Sequence, residues 1–394
     1  MRILVVLTYY SPNISGLTIY TERLAKAWAK RGHQVTVLTS HFDRSTPADE
    51  VKDGVRIIRA PVLFRISKGV IMPTFGALAT RLVMENDAIQ LHLPQFDAAG
   101  VALRGRLLKK PTVITYHCDL RMPPGLLAWS ANMAIKVMNN LAALSCHRIV
   151  TYTQDYAENS RYARRWMGKV HVIQPPVELP GAKPEEISEF AKVHNPQNHR
   201  PVIAMVSRFA TEKGVEVLLN ALPRILEVFP EAQVQFAGPY QKLIGEESYF
   251  QRLSPLIQEY ERSGHWQFLG PLSAKQLSAF YPNIDLLALP SLNSTEAFGL
   301  VQIEAMMNGA PCVASDLPGV RQPVRLHEMG KIIPVGDSAA LAEFTIAILK
   351  DPQAYRRDPR PIAERYLPDT VAAEYEKLFS EISQELQPSK PTAG

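Results

Sequence analysis

The chain of 394 residues is 46% hydrophobic and 21% charged, which excludes a disordered protein and supplies apolar material for more than one core. Its net charge of +5 is unevenly placed: residues 1–180 hold 23 lysines and arginines against 12 acidic residues, and residues 181–394 hold 20 against 26. A basic first half fits a surface that meets phosphates, anionic lipid or an acidic substrate, and it equally fits uneven solvated faces.

Cys118, Cys146 and Cys312 are an odd number without close pairing, so neither a disulfide framework nor a zinc ribbon is encoded, and a reducing cytoplasm is expected. The opening "MRILVVLTYYSP" lacks the long apolar region and small-residue cleavage site of a signal peptide and reads as a first buried strand. No charge-free window of about 18 apolar residues occurs, so no transmembrane helix is expected.

From residue 3 onward, buried strand-like runs alternate with helical-period segments, the pattern of parallel α/β sheets. The first strand is expected at 3–8. Leu17, Tyr20, Leu24 and Ala27 then recur at helical spacing, and "RGHQVTVLTS" turns through a glycine into a second strand. Further strands are expected at 88–93, 112–117, 148–153 and 170–174. Residues 176–200, rich in proline and polar side chains, read as an interdomain linker. A strand at 202–207 restarts the alternation, and Val215, Leu218, Leu219, Leu222, Ile225, Leu226 and Phe229 trace the apolar face of a helix. Strands at 234–238, 266–269, 286–289 and 311–314 follow. The tail "QPSKPTAG" is expected to be disordered. Two doubly wound domains result, 1–175 and 201–366.

The segment "ALPSLNSTEAFGLVQIEAMMNGAPCVAS" parses as strand, loop, helix, Asn-Gly stop and strand. Glu296 sits where the loop becomes a helix, and Glu304 lies inside that helix. Eight helical steps separate them by roughly 12 Å, whereas paired glycosidase carboxylates stand about 5–9.5 Å apart. A paired acid and base is therefore disfavoured. A metal site is poorly supported too: the chain has no Asp-x-Asp and no His-Glu-x-x-His cluster. Two handholds on one long ligand remain, with a phosphate at the helix start near Phe298, Gly299 and Leu300. Glu304, flanked by Ile303 and Ala305, falls on a buried helix, where an unpaired carboxylate is costly.

The run "EAFGLVQIEAMMNGAPCVASDLPGVRQPV" closely resembles the Glu-x7-Glu region of the GT-B retaining glycosyltransferases of family 4. "VSRFATEKGVEVLLNAL" resembles that family's phosphate-gripping segment, "YYSPNISGLTIYTERLAKAWAKRGHQVTVLT" its N-terminal loop and helix, and "VITYHCD" its histidine strand. The resemblance covers most of the chain, with the motifs in order. It implies two Rossmann-like domains facing a cleft, an acceptor-side domain over 1–175, a donor domain over 201–366, and a C-terminal helix at 367–386 that packs back onto the first domain.

Carried over residue by residue, the resemblance gives Arg208 and Lys213 the donor diphosphate, Glu304 the ribose hydroxyls, and Glu296 with the amides of Phe298, Gly299 and Leu300 the transferred sugar. His117 would face the sugar, giving orientation and electrostatics rather than proton abstraction. No cofactor or metal is implied. The reaction would move a hexosyl group from a UDP- or GDP-hexose to an acceptor hydroxyl, with retained configuration and the leaving phosphate helping to accept the proton.

Two departures stand out. The family's Gly-Gly-x-Glu is here Ser15-Gly16-Leu17-Thr18, which leaves Gly16 for backbone approach to phosphate but removes the acidic residue. The segment "VIQPPVE" replaces the common Asn-Gly-Val-Asp and is similar to mannosyl-transferring relatives, which tilts the donor toward GDP-mannose.

Other residues stay open. His92 is structural or acceptor-side, and Cys118 is a small packing residue. Residues 122–147, with Lys136 as their only charge, form either a buried crossover helix or an interfacial helix on an anionic membrane at the inner face, which a lipid-linked acceptor would suit. The alternative functions are an epimerase or sugar phosphorylase on the same fold and a non-catalytic nucleotide-sugar-binding protein. Nucleic acid is not expected as a partner, since the basic half lacks an aromatic platform.

Overall fold

The computed structural model describes residues 1–387 apart from 14, 67–68, 120–125, 242 and 244, and leaves the side chains of 126–131 undescribed. The tail from residue 388 lies outside the described residues. The chain divides into two compact units: Met1–Pro176 together with the C-terminal segment from Tyr366, and Val177–Arg365.

The first unit is built on ten strands: β1 (Arg2–Val6), β2 (Gln34–His41), β3 (Asp49–Lys52), β4 (Val55–Pro61), β5 (Phe64–Ile66), β6 (Gly69–Ile71), β7 (Ala88–Leu93), β8 (Thr112–Tyr116), β9 (Arg148–Thr151) and β10 (Val170–Val172). Eight form one sheet in the order β10-β9-β8-β7-β1-β2-β4-β3, and β5 pairs with β6 apart from it. The large sheet is parallel except for β3, which runs antiparallel to β4 across Asp53-Gly54. Both turn residues have positive φ, 52° and 78°, the backbone that a two-residue hairpin of this hand requires. Strand order reverses between β1 and β7, so the crevice where such sheets take ligands opens beyond their C-terminal ends.

The C-terminal helix Pro368–Leu386 completes this unit rather than the second one. Its apolar face carries Tyr375, Phe379 and Ile382, all fully buried, on the helix Gly16–Lys30. Trp28 donates its ring N–H to the Ala372 carbonyl at 3.2 Å and stands edge-on to Tyr375 at 5.7 Å. The Tyr375 hydroxyl bonds both Tyr20 and Thr115 at 2.8 Å, and Arg31 clamps Glu376 and Asp369 at the rim.

The second unit holds β11 (Val202–Val206), β12 (Gln233–Ala237), β13 (Trp266–Gly270), β14 (Leu286–Leu289), β15 (Cys312–Ser315) and β16 (Gly330–Ile333), all parallel, in the order β13-β12-β11-β14-β15-β16. This is the doubly wound arrangement with its switch point between β11 and β14. Its core joins strand residues such as Ile203, Phe236 and Leu286 to Leu218, Leu222 and Ile225 of the helix Val215–Val228.

Residues 176–200, read from sequence as a linker, contain the helix Pro184–His194, and the second unit begins at Val177. Proline at the first helical position and Glu186 reaching back to the Lys183 amide at 3.0 Å start this helix. Phe190 is buried and meets Phe280 at 6.0 Å, so tertiary packing overrides a composition that looks irregular.

Replacing Tyr375 by phenylalanine removes a partner from the hydroxyls of Tyr20 and Thr115, of which Thr115 keeps the Gln90 amide at 2.9 Å, and should cost about 1–3 kcal/mol; replacing it by alanine should cost about 3–5 kcal/mol. Urea unfolding of the full chain, followed by Trp28 fluorescence in a background free of other tryptophans, measures both.

Candidate functional site

In the second unit the two loops at the switch point carry the residues singled out from sequence. The first runs from β11 through Ser207 and Arg208 to Lys213 and Gly214, where the helix Val215–Val228 begins. The second runs from β14 through Pro290 to Gly299. Gly214 holds them together: its φ is +68°, and a Cβ there would stand 2.1 Å from the Pro290 carbonyl oxygen. The Leu292 amide donates to the Glu212 carbonyl at 2.9 Å, a second backbone tie. Thr211 donates its amide and hydroxyl to Glu246 at 2.9 and 2.8 Å, which anchors the loop on its far side.

This approach brings Lys213 Nζ to 2.6 Å from Glu296 Oε2, with both side chains mostly buried. Glu296 precedes the helix by four residues, in a turn closed by its own amide on the Asn293 carbonyl at 3.2 Å. The pair unites two residues 83 positions apart. Arg208 bonds Glu212, a partner that sequence reasoning had not singled out. The spacing of four residues between them was the only signal available.

The helix after this loop, Leu300–Met306, has seven residues, shorter than the apolar run suggested. Asn308-Gly309 stops it, with the Gly309 amide on the Met306 carbonyl at 3.0 Å and the Ala310 amide on Ala305 at 3.0 Å. So short a helix offers little macrodipole to a phosphate, which corrects that part of the expectation. Gly299 has its own structural reason: φ is +78°, and a Cβ would meet Leu289 Cδ2 at 2.4 Å and Gln302 Nε2 at 2.8 Å. Buried Gln302 in turn donates to the carbonyls of Phe298 and Val320 at 2.9 Å, which fixes the Phe298–Leu300 backbone.

Glu304 is buried, as the apolar residues around it required. Its carboxylate is met by the Tyr281 hydroxyl at 2.9 Å. Tyr281, itself fully buried, lies 23 residues upstream and carried no sequence signal.

In the first unit His117 ends β8 beside His92 of β7. The His92 Nδ1 to His117 Nε2 distance is 2.7 Å, and His117 Nδ1 meets the Tyr152 hydroxyl. Thr21 donates its hydroxyl to the Leu17 carbonyl at 2.9 Å and stands 3.5 Å from His92 Nε2. One proton arrangement satisfies the whole chain: Tyr152 donates to His117, His117 to His92, and His92 to Thr21. Both rings are therefore neutral. Burial pushes His117 down to about 3 and takes His92 well below the ordinary histidine value, with the His117 ring adding to the effect. His92, left open from sequence, holds the His117 ring in this setting.

Gly16 opens the helix Gly16–Lys30, and a Cβ there would meet nothing within 4 Å. Its neighbours account for the departure from the glycine-rich form: Ser15 caps the helix, accepting from the Thr18 amide at 3.2 Å and pairing with the Thr18 hydroxyl at 2.9 Å. Among the described residues no group of three or more His, Cys, Asp or Glu side chains is arranged to hold a metal ion.

Two family models meet across nearly the whole chain, Glycosyltransferase Family 4 over residues 14–179 and Glycosyl transferases group 1 over residues 186–365. The chain belongs to the GT-B glycosyltransferases of family 4. This glycosyltransferase, which uses a nucleotide sugar, is 26% identical to a phosphatidyl-myo-inositol mannosyltransferase of Mycobacterium leprae over 97% of both chains. It is 25% identical to a glycogen synthase of Mycobacterium tuberculosis over 94% of its own length and 91% of the relative's. Its fold matches HepE of Anabaena in complex with UDP, with a TM-score of 0.75 at 20% identity over 97% of this chain and 100% of that one. Sucrose-phosphate synthase of Thermosynechococcus elongatus matches with a TM-score of 0.75 at 21% identity, over 98% and 99%.

Since His117 ionises near 3 when folded and near 6.5 when unfolded, the unfolded chain binds more protons between those values. Stability is then lost as pH falls from about 6.5 toward 3, by up to about 1.4 kcal/mol per pH unit for this ring. Thermal melts across that window should show the decline, with a shallower slope in His117→Gln. Gly214→Ala should separate the two loops and destabilise the second unit by about 1–3 kcal/mol, measured by denaturant unfolding.

Proposed function

We propose that the enzyme transfers a hexosyl group from a nucleoside diphosphate to an acceptor hydroxyl with retained configuration and without a metal ion. The observation that carries this reading is the Lys213–Glu296 pair at the switch point of the second unit, with Arg208 on the same loop. Two fixed cations beside a departing diphosphate supply the charge stabilisation that a metal supplies elsewhere. The donor is assigned to the Val177–Arg365 unit and the acceptor to the basic N-terminal one.

Arg208 and Lys213 hold the diphosphate. Glu296, oriented by Lys213, and the backbone of Phe298, Gly299 and Leu300 position the sugar, while Gly16 offers backbone approach to phosphate. Glu304, oriented by Tyr281, accepts from the ribose hydroxyls. In the transfer step the bond from the anomeric carbon to the phosphate oxygen breaks and a bond to the acceptor oxygen forms on the same face. The acceptor's proton passes to the leaving phosphate. His117 takes no proton: with both nitrogens engaged and its ionisation pushed down to about 3, it is a poor base at neutral pH. It serves orientation and electrostatics.

The Pro-Pro-Val form at 175–177 and the mannosyltransferase relatives favour GDP-mannose as donor. The relatives named for phosphatidyl-myo-inositol favour a lipid-linked hydroxyl as acceptor.

Arg208→Ala and Lys213→Ala should each lower kcat by about a hundredfold or more, and Glu304→Ala should weaken donor binding by about tenfold, all in folded protein. Steady-state kinetics with a chelator present and NMR of the anomeric proton of the product test the proposal together. Inverted product, free sugar phosphate or an epimerised nucleotide sugar would each replace the proposed reaction with another.

A further inference from the structure

Arg208 and Lys213, the two cations of the switch-point loop, each meet a carboxylate, but the two pairs are built differently. Lys213 and Glu296 are both 18% exposed, and Glu296 has a part of its own in positioning the sugar. Arg208 is 41% exposed and Glu212 17%, and the carboxylate of Glu212 has no other part in the site. The backbone fixes both ends of this second pair. The Ser207 amide donates to the Ala237 carbonyl at 3.0 Å and the Phe209 amide to the Pro239 carbonyl at 2.8 Å, while the fully buried Phe209 ring meets Phe236 and Phe250 at 5.7 and 5.2 Å. Glu212 lies in the short turn Thr211–Lys213, held by the Leu292 amide on its carbonyl and by the bonds of Thr211 to Glu246. The longer and more exposed side chain, that of Arg208, is the part with room to move.

The contact between them is single. Nη2 of the guanidinium meets Glu212 Oε1, and among the described residues Nε and Nη1 have no hydrogen-bond partner. A bond made by one nitrogen of a side chain open to solvent is readily exchanged, unlike a two-pronged pair. A transfer site needs such an exchange. Cations that stabilise charge on a departing diphosphate bind the product most tightly, because the charge is complete there. The terminal phosphate, linked to sugar in the donor, becomes a free monoester in the product and ionises further with a pKa of about 6. Two cations held on that phosphate would keep the product in place, and release often limits turnover. A carboxylate fixed beside one of them favours release, since it competes for the cation and repels the anion.

We infer, on the assignment of Arg208 and Lys213 to the donor diphosphate, that Glu212 acts in product release: it takes Arg208 back from the spent nucleoside diphosphate and so keeps the product from blocking the site. Arg208 alternates between two anions, the carboxylate fixed in its own loop and the phosphate of the ligand. Lys213 stays with Glu296, the less exposed pair. A carboxylate that served to aim the guanidinium would engage it with two bonds, and Glu212 makes one. Glu212 touches no substrate in this scheme and works through Arg208 alone.

The test uses the full chain with GDP and UDP as probes and a chelator present, with release timed by stopped-flow displacement of a methylanthraniloyl analogue of whichever nucleotide binds. Glu212→Gln and Glu212→Ala should each tighten nucleoside diphosphate binding by about tenfold, mostly through slower release. In steady-state turnover of the nucleotide sugar of that base, the inhibition constant of the nucleoside diphosphate should fall by more than the donor KM does, a split that a merely structural role would not produce. Circular dichroism should stay unchanged in both variants. With Arg208→Ala in place, Glu212→Gln should no longer tighten binding, because no cation is left to contest. Unaltered binding and release, weaker binding in both variants, or tightening that persists without Arg208 would each overturn the inference and leave the donor site standing. A wild-type chain that binds neither nucleotide would remove the donor site and the inference together.

Discussion

The site proposed for the donor rests on one close approach, between the backbone at Gly214 and the Pro290 carbonyl. A side chain at residue 214 would require 2.1 Å between carbon and oxygen, so only glycine lets the two switch-point loops close on each other. With them closed, Lys213 and Glu296 meet at 2.6 Å although 83 residues separate them. That pairing costs neither charge its partner in the free enzyme, and it keeps a partly buried ammonium aimed where the parallel sheet presents its ligands. Arg208, engaged with Glu212 on the same loop, is the more exposed of the two cations and the one an arriving anion can draw away most easily.

The N-terminal unit solves a different problem. It buries two imidazoles and keeps both neutral by passing one proton direction through Tyr152, His117, His92 and Thr21. Tyr375 of the C-terminal helix, bonded to Tyr20 and Thr115, closes the neighbouring polar layer, so the last helix of the chain supports the setting of a strand-end histidine. A ring held this way is a fixed dipole rather than a proton carrier, in keeping with the proposed transfer, in which the leaving phosphate takes the proton.

Much of this was legible in the sequence where local chemistry and tertiary structure agree. The strands Ala88–Leu93 and Leu286–Leu289 fall where the apolar runs placed them, and the helix Val215–Val228 follows its seven-residue apolar face. The hairpin β3–β4 was missed because β3 is an exposed edge with almost no apolar pattern, although Asp53-Gly54 marked its turn. The helix at Pro184–His194 was missed because proline-rich composition outweighed the two signals at its start, proline at the first helical position and Glu186 three residues after Lys183. Among the candidate site residues, the motifs singled out Lys213, Glu296 and Glu304, but not their neighbours Tyr281 or Tyr152, whose contacts join distant positions. The neutrality of His117 was equally hidden, since it follows from burial and from His92.

In the proposed donor site Arg208 and Lys213, and no metal ion, hold a nucleoside diphosphate at the switch point of the second unit. Calorimetric titration of GDP and UDP into the enzyme with a chelator present tests it most directly. Saturable binding of one nucleotide, unchanged when magnesium replaces the chelator, is the predicted result; binding that appears only with the divalent cation, or fails for both nucleotides under either condition, would contradict it.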